Sequence, residues 1–236
     1  MIDHSMVFMV VSRHGGLMNN TPETRSTLRV HLIRNAETES NAAGTVSSPE
    51  DRLSARGLAR TDALSSYFHR YPLRVDALYC STLRRSQQTL EGIRAALDTP
   101  PVEPSSSELT NNLRRPQEGF PPQDTFNAIM SGFSKGGVTI MEPVERLREI
   151  DRGRHEGRPA SSVYTPDEVR KMRHLGMDHR FPRGESMNDV AERMHRWLHG
   201  VTVVAQKYRW NSVVAVTHDV AIKCLLPQAL ERPDVV

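Results

Sequence analysis

Two cysteines, Cys80 and Cys224, are all that the 236 residues contain. Each sits in an apolar run, and no Cys/His cluster stands at zinc-ligand spacing. A disulfide framework and a structural zinc centre are thereby excluded, and buried thiols are expected. Aromatic residues make up only 6%, and the arginines are scattered along the chain. A nucleic-acid surface, which needs clustered cations interleaved with stacking rings, is not predicted. No run of 18 apolar residues occurs, so no membrane-spanning helix is expected. Net charge is small, at +3. That mild basic balance suits an anionic ligand without defining one.

What is present reads as a globular chain: 37% hydrophobic and 25% charged residues, enough for one substantial domain. The first strong strand is Leu28 to Ile33, ending at Arg34. A helix is predicted over Leu58 to Tyr71, a short strand over Val75 to Cys80, and a further helix with Ser81 as its N-cap. Asp167 to Leu175 and Ser186 to Tyr208 carry helical patterning, the latter capped near Ser186–Asp189. Ser212 to Val216 is a buried strand, followed by a helix from Val220 to Leu230. This alternation argues a three-layer α/β fold, a mainly parallel central sheet with helices on both faces. No further strand is legible before Val236, so the chain is expected to be short at that end or the sheet to lack an edge.

Residues 28–236 are read as the domain, with an insertion at about 99–143 rich in Pro, Ser, Gly and Asn. Residues 1–27 are an N-terminal extension whose short apolar stretch, Met6 to Val11, fits a targeting, disordered or strand-forming segment. The expected compartment is intracellular, cytoplasmic or mitochondrial.

An open parallel sheet places its ligand just beyond the carboxyl ends of its strands. Those ends carry Arg34-Asn35-Ala36-Glu37-Thr38-Glu39-Ser40-Asn41, then Ser81 to Thr89 with Arg84 and Arg85, then Thr217-His218-Asp219. Two arginines, a histidine and an asparagine converging there would form a fork-shaped pocket matched to phosphate. Most other histidines (His31, His69, His155, His174, His179, His195 and His199) lack ligand spacing and are expected to be solvated or on helix surfaces. Arg170, Lys171, Arg173, His174 and Arg180 lie in a segment, Ser161 to Phe181, that reads as a basic lid or as a solvated helix.

The sequence from Leu28 to about Leu226 resembles the histidine phosphatase superfamily (phosphoglycerate mutase-like) in a signature after the first strand and five further ordered parts. The strand end at Arg34 resembles R-H-G/A-[EQ]-[ST]-x-x-N. Leu53-Ser54 with Gly57 resembles L-[ST]-x-x-G, and Ser81 to Thr89 resembles S-x-L-x-R-[AS]-x-Q-T. Leu147 to Gly157 resembles L-x-E-x-x-x-G-x-x-E-G. Gly184-Glu185-Ser186 with Asp189 and Arg193 resembles the family's helix start, and Val216-Thr217-His218 its last strand end. The resemblance implies that Arg34, Arg85 and His218 bind the phosphoryl group with Asn41 beside them, and that Glu149 is the general acid. His218 would then serve both in catalysis and in phosphate binding.

The departure is Asn35, which stands where the family keeps its nucleophilic histidine. An amide nitrogen has its lone pair delocalised into the carbonyl and attacks no phosphorus. The leading expectation is a pseudophosphatase that still binds phosphate or a small phosphorylated ligand. The alternatives are an active phosphomonoesterase, or less readily a phosphoglycerate mutase, whose histidine was replaced, and a structural subunit of a larger assembly. Protein partners and a dimer stay open; no metal and no cofactor is predicted. An internal echo, Arg13-His14-Gly15 with Asn20, repeats the spacing of Arg34, Asn35, Ala36 and Asn41 and would make His14 the nucleophile.

Overall fold

The computed structural model describes residues 7–13, 27–97, 138–140 and 143–231. Strands β1 (Val7–Arg13), β2 (Thr27–Arg34), β3 (Ala77–Cys80), β4 (Thr139–Ile140) and β5 (Ser212–Thr217) form one sheet in the order β1-β2-β5-β3-β4. The last four run parallel and β1 lies antiparallel on β2. The helices are α1 (Glu39–Ala43), α2 (Ala55–Arg70), α3 (Arg84–Arg94), α4 (Ala160–Val163), α5 (Pro166–Leu175), α6 (Met187–Tyr208) and α7 (Asp219–Glu231).

Side chains that alternate along each strand divide between two cores. Leu28, Val30, Leu32, Tyr79, Val213 and Ala215 pack under α6 and α7 around Trp197, Met194 and Leu225. Ile33, Leu78, Cys80, Val214 and Val216 face the other way, against Leu64 and Phe68 of α2 and Ile93 of α3. A sheet covered on both faces needs strands apolar at every position, and β3 and β5 read that way. The three-layer architecture expected from the sequence is the one observed. Cys80 and Cys224 are buried thiols in opposite cores, so the sheet separates them.

Several local expectations need correction. Of the readings for the N-terminal extension the strand-forming one holds over Val7–Arg13, which borders the sheet beside β2 as β1. Thr139–Ile140, inside the predicted insertion, is sheet rather than loop and pairs with β3; residues 99–137 lie outside the described residues. Ser81 is not a helix cap. Its Oγ accepts from Leu83 N, and the helix begins at Arg84 after Leu83. α2 starts three residues early because Ser54 caps it through Gly57 N. His31 and His179, expected to be solvated, are buried. His179 sits against Phe181 and shares a hydrogen bond with Glu168 at 2.8 Å. Among the described residues no helix is long and apolar enough to cross a membrane, and no His/Cys/Asp/Glu group could hold a metal ion.

Candidate functional site

Strand register brings the three expected segments to one level. Arg34 is paired with Thr217 and Cys80 with Val216, so β2, β5 and β3 end side by side. The Asn35 amide then donates to Thr217 O at 2.8 Å, and that of Ser81 to Val216 O at 3.0 Å. Just beyond lies a cavity of about 200 Å³ lined by Arg34, Asn35, Asn41, Arg85, Glu149 and Arg152, with Tyr164 and Asp219 at its wall. Five of the six predicted site residues therefore meet in one place.

The sixth, His218, lies behind the wall rather than on it. It is fully buried, and its Nε2 shares a hydrogen bond with Ser86 Oγ at 3.1 Å. Burial, and next the nearby Arg85, Arg193, Arg148 and Arg34, hold its pKa well below the usual 6.5, so it is neutral. A serine paired with a histidine could pass for an activated nucleophile. Both are sealed from solvent at 0% exposure, so no phosphorus reaches that hydroxyl.

Arg85 is the most telling cation. It is 4% exposed, and its Nη1 donates to Ser48 O at 2.8 Å. No carboxylate lies within ion-pair distance among the described residues, and burial pulls its pKa down. Glu149, Asp51 and Glu156 offset part of that burial from a distance, but a buried guanidinium with no carboxylate in contact is costly unless an anion joins it. Arg34 is less available, because Asp219 Oδ1 stands 3.5 Å from its Nη1. Asp219 is itself bound by Lys223 at 2.6 Å. Glu149 accepts from Ile150 N at 2.9 Å and from Val220 N at 3.4 Å, which aims its carboxylate along the cavity wall.

Asn35 Nδ2 donates to Ala36 O at 2.8 Å. One of its two N–H groups is engaged there, which leaves the second N–H and the carbonyl oxygen, neither of them a nucleophile towards phosphorus. Turning the amide round would set oxygen against oxygen, so the network fixes the orientation. The loop is fastened from below: Thr89 Oγ1 accepts from Ala36 N at 3.1 Å and donates to Arg85 O at 2.8 Å. Ser54 and Arg56 hold Glu37, and Gln88 accepts from Leu53 N. Asn41 has a double duty. It closes a capping box with Thr38, its Oδ1 taking Thr38 N–H at 3.3 Å, which leaves its amino group as the donor for a ligand.

The other motif residues are fasteners. Arg193 donates to Glu185 and to the carbonyls of Arg146, Arg148 and Glu149 at 2.7–3.2 Å, fixing the loop that presents Glu149. Glu185 also accepts from Asp151 N at 3.0 Å. Asp189 caps α6. None of the three lines the cavity. The expected basic lid does not deliver its charge either: Arg170 pairs with Asp167, Lys171 with Glu168 and Arg180 with Asp189. Sequence reasoning missed Arg152, which lines the cavity; a loop arginine carries no signal until its neighbours are known.

Arg13, the echo's counterpart of Arg34, ends β1 opposite Thr27, at the amino end of β2. Arg34 is at the other end, seven residues on, about 23 Å away along an extended strand. His14 itself lies outside the described residues.

The buried histidines predict a pH dependence. His31 is also held below its usual pKa, by burial and then by Arg29. Both hold a proton less readily folded than unfolded, so they take up protons on unfolding below the ordinary value of 6.5. Above that pH they contribute no slope; as pH falls through it, each lowers stability by up to about 1.4 kcal/mol per pH unit. Denaturant unfolding between pH 8 and 5.5 should show this loss, and His218→Asn should flatten it. An unchanged slope in the variant would remove His218 from that explanation.

With this geometry in view, the chain belongs to the histidine phosphatase superfamily (branch 1), whose model matches residues 30–107 and 123–235. It is similar to the protein named "Probable phosphoglycerate mutase GpmB" of Proteus mirabilis, 28% identical over 209 residues, spanning 87% of this chain and 76% of that one. The protein of the same name from Cronobacter sakazakii is 32% identical over 127 residues, 53% of each chain. Among solved structures, mycobacterial glucosyl-3-phosphoglycerate phosphatase in complex with VO3 superposes with a TM-score of 0.58 at 20% identity, covering 86% of this chain and 81% of that one. Phosphoglycerate mutase from Bacillus anthracis gives 0.58 at 16%, covering 85% and 79%. Those two likenesses establish the fold.

Proposed function

We propose that this protein is a histidine phosphatase-fold pseudophosphatase, which binds phosphate or a small phosphorylated ligand at the strand ends without a phospho-accepting histidine. The observation that carries the reading is Arg85, a buried cation whose hydrogen bond among the described residues goes to a backbone carbonyl and which lines the same cavity as Asn35. Arg34, Arg85 and the Asn41 amino group supply donors for a tetrahedral anion. By the family resemblance Glu149 would protonate a leaving oxygen, but no imidazole stands at the attacking position. Phosphate monoesters are among the slowest substrates known, with enzymatic accelerations up to about 10²¹-fold. Electrostatics alone leave such an ester bound and intact.

Inorganic phosphate should therefore raise the melting temperature in a saturable manner, while p-nitrophenyl phosphate is bound and not turned over. At a hundredfold excess over Kd the stabilisation is about 2.7 kcal/mol. Absence of any phosphate-dependent shift would favour the structural-subunit alternative. Turnover by the native chain would favour an active phosphomonoesterase.

A further inference from the structure

We propose that β1 is a dimerisation edge. Two copies of this chain pair antiparallel through Val7–Arg13 about a twofold axis at Val10, which joins their five-stranded sheets into one continuous sheet. The surface lies apart from the strand-end cavity and does not depend on what binds there.

β1 is the long open edge of the sheet. It lies outside β2 in the order β1-β2-β5-β3-β4, and β4 at the other edge has only two residues. Alternate backbone N–H and C=O groups of β1 face β2; the others point outward, where no described strand pairs with them. Proteins normally blunt such an edge with lysine, proline, a charge in mid-strand or a bulge. Val7-Phe8-Met9-Val10-Val11-Ser12-Arg13 has none of these: its register on β2 is unbroken, and its one charge stands at the end. An antiparallel strand covered on one face alternates apolar and polar residues. Here five successive positions are apolar, and β2 is the one described element with which β1 makes extensive contact. The unpaired backbone and the surplus of apolar residues both call for a further strand alongside.

The strand fits its own copy. Antiparallel pairing centred on Val10 sets Met9 opposite Val11, Phe8 opposite Ser12 and Val7 opposite Arg13. A twofold axis through a residue exchanges positions of the same parity. Whichever set of backbone groups faces outward, the donors of one copy therefore meet the acceptors of the other. Charge selects the direction. In the antiparallel pair the two Arg13 residues stand about 20 Å apart along the strands, whereas parallel pairing would set them side by side. Such an isologous contact closes on itself and stops at two chains. β2 and its copy then run in opposite directions, so the two strand-end cavities open at opposite ends of the joined sheet, and ligand access is independent of pairing.

A single strand pair is a small interface, so light scattering of the full chain over about 1–100 μM should show the mass rising from one chain towards two. Val10→Lys brings two ammonium groups together at the axis and should weaken association about tenfold or more, with the far-ultraviolet circular dichroism unchanged. Cysteine variants decide the matter if that chain unfolds. Val10→Cys sets two thiols opposite each other, with Cα atoms about 4.5–5.5 Å apart, and mild oxidation should link the chains. Phe8→Cys sets them about 14 Å apart and should not link. Cys80 and Cys224 are buried and offer no competing bridge. A monomer at every concentration overturns the proposal, the result expected if another part of the chain caps the edge. So does a dimer that keeps its native strength in Val10→Lys, or cross-linking at position 10 no better than at position 8.

Discussion

Asn35→His is expected to create phosphomonoesterase turnover, raising the rate on p-nitrophenyl phosphate about 10³-fold or more over the native chain. The expectation follows from what already surrounds the position. Asn35 Nδ2 donates to Ala36 O at 2.8 Å. An imidazole there can give its Nδ1–H to the same carbonyl, which fixes the tautomer that leaves Nε2 with the lone pair. That nitrogen would face the cavity shared by Arg34, Arg85 and Glu149. The loop needs no rebuilding, since Thr89 holds Ala36 N and Thr217 O holds Asn35 N irrespective of the side chain. Asp219 limits the gain, because a carboxylate 3.5 Å from Arg34 opposes a dianion. Turnover in the variant only would mean that the missing imidazole was the main deficit. If both chains are inert while phosphate binds, the retained function is binding or scaffolding.

The second large effect is expected at Arg85. Arg85→Met should weaken inorganic phosphate by about 30-fold or more, the consequence of losing about 2 kcal/mol or more from a buried charge-assisted contact. Stability without phosphate should move the opposite way or not at all. Methionine fills much of the space and removes a guanidinium whose burial is only partly offset by Ser48 O and the more distant charges of Glu149, Asp51 and Glu156. Loss of binding with stability unchanged or raised is the signature of a ligand-binding cation. Loss of both together would make Arg85 a structural residue, and unchanged affinity would take the phosphate away from this pocket.

The core fold was legible because burial on both faces leaves an unmistakable mark. β5 is aliphatic from Val213 to Val216, β2 is aliphatic but for Arg29 and His31, and helices of the right length fill the gaps between them. β1 was harder, since an antiparallel edge strand needs only one covered face and its seven residues resemble any short apolar stretch. β4 was harder still: two residues, Thr139–Ile140, carry no period. α1 escaped notice because its five residues are held by the Thr38–Asn41 capping box rather than by an apolar face.

Site residues followed a similar rule. Arg34, Asn35, Asn41 and Arg85 were legible at the carboxyl ends of parallel strands, and Glu149 came from the family resemblance alone. The burial of His218 behind the wall follows from the fold, as Thr217 Oγ1 bonds Leu147 O and the next residue turns inward towards Ser86. Arg152 depended on Phe181 and Gly184, about thirty residues further along the chain, and no local pattern encodes such a meeting. Glu185 and Arg193 lay in a recognised motif, yet only the structure separates a residue that touches ligand from one that ties down the Glu149 loop.

Intact-protein mass spectrometry at alkaline pH, after incubation with a phosphomonoester, most directly tests whether a competent phosphate pocket lacks only its nucleophile. The native chain should remain unmodified, and Asn35→His should carry one phosphoryl adduct mapping to residue 35. A phosphoryl adduct on the native chain, at His14 or elsewhere, would contradict it.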